Sequence, residues 1–172
     1  MWFETRVLGP DYLAIAPDSF VMKRDFTLSA DALFALLADD QQWPKWFPDM
    51  RGVTWISPDG DRRKPHAVRR ANTKSGDVIE HFVVWDAPQR MAFYAERMTT
   101  PLASEFFEDY VIEPLGEGRS RLTWTVAFRA RVPFRPLMFL IRPRFSKMFD
   151  DAADALVRYT RTTGMVGGAD AT

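Results

Sequence analysis

The sequence predicts an α+β domain in which a curved antiparallel sheet wraps around a long C-terminal helix. Three observations predict it. Six strand-like runs follow one another between Val53 and Arg129, and their links are too short for crossovers, so the strands run antiparallel. Beyond the last run, Leu137, Ile141, Phe145, Met148, Ala152, Leu156 and Tyr159 recur at spacings of three and four, the stripe of an amphipathic helix. The 14 Phe and 6 Trp among 172 residues supply one large core, and the length suits a single domain spanning 1–172.

Phe20 to Phe26 carries β-favouring residues and reads as a strand, after which Ser29 stands where a helix N-cap belongs. The helix Ala30 to Ala38 places Leu33, Phe34 and Leu37 on one stripe and Asp31 in its first turn, where the helix dipole favours an acid. It is a covering helix for a sheet. Asp39 to Pro48, with Trp43, Pro44, Trp46, Phe47 and Pro48, suits a short helical turn that packs aromatics inward.

The six following strands are Val53–Ser57, His66–Thr73, Asp77–Trp85, Arg90–Met98, Ser104–Glu113 and Arg119–Arg129, which with the first make about seven. Turn residues separate them: Pro58-Asp59-Gly60, Ser75-Gly76, Ala87-Pro88, Thr99 to Pro101 and Gly116-Glu117-Gly118. The last strand alternates Leu122, Trp124, Val126 and Phe128 with Thr123, Thr125 and Arg129, so one of its faces is expected to be wet. Pro133 and Pro136 end it. Pro143 then divides a short helix from a main helix over about Arg144 to Thr162, and Gly164 to Thr172 reads as a frayed tail.

Lys plus Arg and Asp plus Glu number 23 each, which removes the overall positive field of a dedicated nucleic-acid binder. No cysteine is present, so thiolate catalysis and Cys-based metal sites are excluded. The only histidines are His66 and His81, without the spacing of a metal motif, and no Gly-rich phosphate loop occurs, so neither metal nor cofactor is expected. Met1 to Phe20 mixes Glu4, Arg6, Asp11 and Asp18 among its apolar residues, unlike a signal peptide, and points to a cytoplasmic protein. The longest apolar stretch, Pro136 to Ile141, is far short of the ~20 residues of a membrane span.

Several short motifs in this order resemble the START-like superfamily, also called SRPBCC, which includes polyketide cyclases/dehydratases and lipid-transport proteins. They are Ser29 to Phe34 after the first strand, Trp46-Phe47-Pro48, Trp85 to Arg90 between strands, Glu113 to Gly118, and Thr123-Trp124-Thr125. The resemblance covers roughly Phe20 to Thr162. It implies the helix-grip fold, with a cavity between the concave sheet and the long helix. Members include cyclases, dehydratases, lipid carriers, hormone receptors and chaperone activators, so the fold alone does not name the function.

Glu80, His81, Glu96, Glu105, Glu108, Asp109 and Tyr110 stand out because several lie inside strands whose neighbours are apolar. In Ser104–Glu113 one face carries Phe106, Glu108, Tyr110 and Ile112, the other Phe107, Asp109 and Val111. If the first set faces the cavity, Glu108 is a desolvated carboxylate of raised pKa beside a phenol, and Glu108, Tyr110 and His81 are the candidates for acid/base chemistry. The bland alternative pairs Glu108 with an arginine on a neighbouring strand.

Candidate cavity residues are Trp46, Phe47, Trp55, Trp85, Phe93 and Phe106, joined by Trp124, Phe128, Phe145 and Phe149 from the last strand and helix. Packed core demands the same residue types. Two basic clusters complete the set. Arg62, Arg63, Lys64, Arg69 and Arg70 around His66 read as a solvated loop and strand edge before an anion or RNA site. Arg129, Arg131, Arg135, Arg142 and Arg144 interleave with apolar residues, which suits a covering helix, a pocket rim where Arg142 meets a ligand, or peripheral lipid contact near 132–144.

The leading expectation is binding or carriage of a hydrophobic small molecule such as a polyketide, an aromatic metabolite or a lipid. The alternatives are a cyclase- or dehydratase-type enzyme using a buried carboxylate, and a protein- or RNA-interaction module.

Overall fold

Period-two patterning becomes one eight-stranded antiparallel sheet. The structure, a computed structural model, describes residues 1–57 and 64–163; the turn expected at Pro58-Asp59-Gly60, Arg62, Arg63 and the tail from Gly164 lie outside the described residues. The strands are β1 (Phe3–Glu4), β2 (Asp18–Phe26), β3 (Met50–Trp55), β4 (Val68–Thr73), β5 (Asp77–Asp86), β6 (Arg90–Met98), β7 (Ala103–Gly116) and β8 (Arg119–Ala130). Two helices, α1 (Ala30–Ala38) and α2 (Trp43–Trp46), follow β2, and α3 (Met138–Thr162) ends the described chain. The strand order is β2-β8-β7-β6-β5-β4-β3, so every neighbour but one is also a neighbour in sequence. The exception closes an edge: β2 pairs β8 from Asp18 opposite Phe128 to Phe26 opposite Ser120.

Local chemistry sets the corners. Ser29 Oγ accepts from the Ala32 amide at 3.2 Å and caps α1. The β7–β8 hairpin turns through Gly116, Glu117 and Gly118 at φ of +79, +52 and +68°, a left-handed run that two glycines make inexpensive. A 3-10 turn, Val132–Leu137, leads into α3.

One helix stands where two were expected. Pro143 lies inside α3; its ring forfeits only the bond to the Phe139 carbonyl, on a stretch that faces outward. The predicted stripe meets the sheet: Phe149, Ala152 and Leu156 are buried, and Phe145, Met148 and Tyr159 pack against the same core. Arg24 ties α3 to β2 through Asp150 and Asp154, both at 2.7 Å.

The outer face of the sheet is partly covered. β1 pairs the end of β6, Phe3 opposite Met98, beyond the point where β6 and β7 part, and the Arg6 amide bonds the Ser104 carbonyl at 3.0 Å. The chain then lays Leu8 and Tyr12 over Ala92, Tyr94, Phe107 and Ala127, a second small core. The expectation of a wet face therefore holds only in part. Among the described residues no helix is long and apolar enough to cross a membrane.

Candidate functional site

A cavity of about 120 Å³ lies between the concave face and α3. Phe93 (β6), Phe106, Glu108 and Tyr110 (β7) form its floor, Phe145, Met148 and Phe149 (α3) its roof, and Trp43, Phe47 and Met50 one side. Partly exposed Thr73, Ser75, Gly76 and Thr100, from the β4–β5 turn and the β6–β7 link, mark its mouth.

The wall is mainly apolar; besides Asp49, which bonds Ser75 at the mouth, two buried carboxyl groups enter it. Glu108 and Tyr110 are two apart on β7 and share a face, and Trp124 is the cross-strand partner of Tyr110 on β8. This register brings three polar atoms together: Glu108 Oε2 accepts from Tyr110 Oη at 2.6 Å and from Trp124 Nε1 at 2.8 Å. The second carboxyl is Glu80. It sits directly opposite Arg69 on β4 and accepts from Arg69 Nε in a fully buried ion pair. Arg69 is 1% exposed, its guanidinium 4.7 Å from the Trp43 ring and 4.9 Å from Phe82, a cation held by aromatic faces.

Burial, reinforced by the charge of Glu80, pushes the Glu108 carboxyl up to about 8 and outweighs the donors Tyr110 and Trp124. At pH 7 Glu108 is therefore mainly a neutral acid. Tyr110 is raised well above its ordinary range by burial and then by Glu108. Burial also raises Glu80, opposed by Arg69.

The other acids that stood out in the sequence point outward. Asp109 pairs Arg90 at 2.8 Å, and Glu105 pairs Arg129 at 2.7 Å. Glu108 has no such arginine; its neighbour Glu80 takes the buried one. His81 is on the outer face, stacked on Tyr94 at 5.2 Å with Nδ1 3.6 Å from Glu96, and is separated from Glu108 and Tyr110 by the sheet itself. It cannot act with them on one ligand.

Of the candidate cavity residues, Phe47, Phe93, Phe106, Phe145 and Phe149 line the chamber. Trp124 backs the wall through Glu108, and Trp46 packs behind it on Trp43 at 4.8 Å. Trp55 and Trp85 pack on Phe82 outside the lining, tilted and edge-on respectively, and Phe128 packs on Phe20 and Phe145, each at 5.3 Å. Arg142 is at the surface, its Nε 3.1 Å from Asp18, away from the chamber.

The sequence pattern groups Arg69 with a solvated cluster, and the structure corrects that reading by burying it. The signal was present: Ala67 and Ala71, two positions to either side, are small residues on the same face and are as buried as Arg69. Among the described residues no group of acids and histidines is arranged to hold a metal.

The fold and its chamber define a helix-grip domain of the START-like (SRPBCC) superfamily, a class built around an internal cavity. Within it, residues 17–161 match the family described as polyketide cyclase / dehydrase and lipid transport, and the chain belongs to that family. An uncharacterized protein of Mycobacterium tuberculosis is 34% identical over 155 residues, covering 89% of this chain and 90% of the relative. Among solved structures, a START superfamily protein from Mycobacterium smegmatis superposes with a TM-score of 0.65 at 14% identity, over 82% of this chain and 97% of that one. The Zhui aromatase/cyclase from a Streptomyces species does so at 0.63 and 15% identity, over 88% and 99%. At such identities the likeness is one of fold.

Proposed function

We propose that this protein binds and carries a hydrophobic small molecule in the chamber between its sheet and α3. The observation that carries the reading is an internal space walled by aromatic rings, with a neutral acid at its inner end and a mouth between two turns. Its volume is below the roughly 300–1,000 Å³ of drug-sized pockets and close to the ~150 Å³ that accepts benzene in an engineered core. An aromatic metabolite of one ring fits the chamber as it stands; a polyketide or lipid would need the roof residues Phe145 and Met148 to move.

The test is occupancy. Native mass spectrometry of the purified protein should show a retained small molecule, or an environment-sensitive dye should bind saturably. Ala71→Leu, which fills the wall, should abolish either signal while the circular dichroism spectrum stays unchanged. Unsaturable dye binding that Ala71→Leu leaves intact would defeat the reading.

A catalytic use of the same chamber has one observation in its favour, the neutral Glu108 beside Tyr110, the pattern of a general acid. Glu108→Gln would then abolish turnover of a cyclisable substrate and leave its binding intact.

Peripheral lipid contact belongs to the same proposal. Val132, Phe139 and Leu140 are 68%, 73% and 55% exposed, next to the α3 turn that roofs the chamber. From Arg131 to Lys147 the chain carries five cations and no acid, which favours an anionic lipid surface.

A further inference from the structure

The inner end of the chamber has an asymmetry that bears on ligand chemistry. Both protein donors, Tyr110 Oη and Trp124 Nε1, converge on one oxygen of Glu108, Oε2, at 2.6 and 2.8 Å. No donor among the described residues reaches Oε1. The nearest buried cation, Arg69, gives its Nε to Glu80; its Nη1 is buried without a hydrogen-bond partner, and Arg69 is not among the residues that line the chamber. In a protonated carboxyl group the carbonyl oxygen accepts and the hydroxyl oxygen donates; with Oε2 already accepting twice, the hydroxyl belongs on Oε1. Glu108 is part of the chamber wall.

We infer that Glu108 acts toward the chamber as a hydrogen-bond donor, so that the site selects a neutral ligand with a carbonyl or similar acceptor oxygen over the hydrocarbon of the same shape. This rests on the reading of the chamber as a binding site and adds the class of ligand. The electrostatic surroundings agree. β4 and β5 contribute Arg69 and Glu80, which offset each other, and Tyr110 on β7 holds its proton. Asp49 stands in the lining outside that network, and the α3 residues of the roof, Phe145, Met148 and Phe149, carry no charge. A carboxylate ligand would meet Glu80, Glu108 and Asp49 in a lining that contains no lysine or arginine. A ketone would meet a donor that no side chain among the described residues satisfies. Ionisation at about 8 sets the pH limit: below it the donor is present, and above it a carboxylate repels the ligand oxygen.

The experiment compares acetophenone with α-methylstyrene, the hydrocarbon of the same shape in which a CH2 group replaces the carbonyl oxygen, by NMR titration of the full chain at pH 6.5 and pH 9.5. At pH 6.5 the ketone should bind roughly tenfold more tightly, the value of one hydrogen bond that is otherwise unmet. At pH 9.5 that preference should vanish. Glu108→Gln keeps a donor at every pH, since its carboxamide oxygen can take the two bonds and its NH2 face the chamber, and should hold the preference at both. Glu108→Leu should lose it at both; should that variant not fold, the pH-independence of Glu108→Gln still decides. Equal binding of the two compounds at pH 6.5, as would follow if the proton were given to Glu80, overturns the inference and leaves the chamber a hydrophobic site. A preference that survives pH 9.5 in the unsubstituted protein also overturns it. Failure of both compounds to bind overturns the chamber reading and the inference with it.

Discussion

Replacing Arg69 by Met tests whether the buried network holds the floor of the chamber together. Methionine keeps much of the aliphatic volume but removes the charge from a side chain that is 1% exposed, leaving Glu80 at 6% with no partner. An uncompensated buried carboxylate costs roughly 3–5 kcal/mol, and the guanidinium's contacts with Trp43 and Phe82 add about 1 kcal/mol. Part of the first term is relieved because Glu80 can take up a proton. With a urea m-value of about 2 kcal/mol/M, a net loss of ~3–4 kcal/mol lowers the unfolding midpoint by roughly 1.5–2 M. The measurement is a urea titration followed by tryptophan fluorescence. Adding Glu80→Leu to Arg69→Met removes the stranded acid and should restore most of the loss, because a buried pair is worth little over an apolar substitute. A single-variant loss below about 1 kcal/mol, or a double variant no better than the single, would refute the view that the cost lies in the unpaired charge.

Trp124 is fully buried against Tyr110 and Phe149, so Trp124→Ala should cost about 3–5 kcal/mol in the same titration, and Trp124→Phe, which loses the donor to Glu108 and part of the ring volume, about 2 kcal/mol. Stability should also fall as pH rises from about 4.5 to 8. In that window the native state keeps the Glu108 proton that the unfolded chain has released, so the stabilisation present below the unfolded value is lost as pH climbs through the folded one. Glu108→Gln should flatten this part of the profile; an unchanged slope would assign it to another group. Sedimentation with phosphatidylglycerol vesicles should carry the protein down at low salt, and Phe139→Ser with Leu140→Ser should cut the bound fraction several-fold. Equal sedimentation of both forms would remove the lipid surface from the proposal.

Where a strand's two faces differ in polarity, the sequence was readable. Glu108 and Tyr110 were placed together because β7 alternates without interruption between Phe106 and Ile112. Helix α1 was legible to its ends because Ser29 caps one and the apolar stripe fills the rest. His81 lies between Glu80 and Phe82, which both face inward, so alternation puts it on the outer face; the register shift that lets Phe82 and Trp85, three apart, pack on one another falls beyond it, at Phe82/Val84. Period-two counting fails across such a bulge. Arg69 was misjudged because charge density in its neighbourhood signals solvent, and only the tertiary arrangement of Trp43, Phe82 and Phe93 supplies a dry cage for it. The N-terminal arm escaped notice because a two-residue strand has no period to detect.

The pairing of β2 with β8 has a kinetic meaning. Phe20 and Met22 find their cross-strand partners in Val126 and Trp124, about a hundred residues later in the chain. Closing so long a loop costs entropy before any contact rewards it, and topologies dominated by such pairings fold slowly. During synthesis β2 emerges early and waits, the apolar face of Phe20, Met22 and Phe26 without its neighbour, until β8 leaves the ribosome. A chain cut short before Arg119 would keep seven of the eight strands and still leave β2 with no strand to pair, so the domain should fold as one cooperative unit rather than in halves.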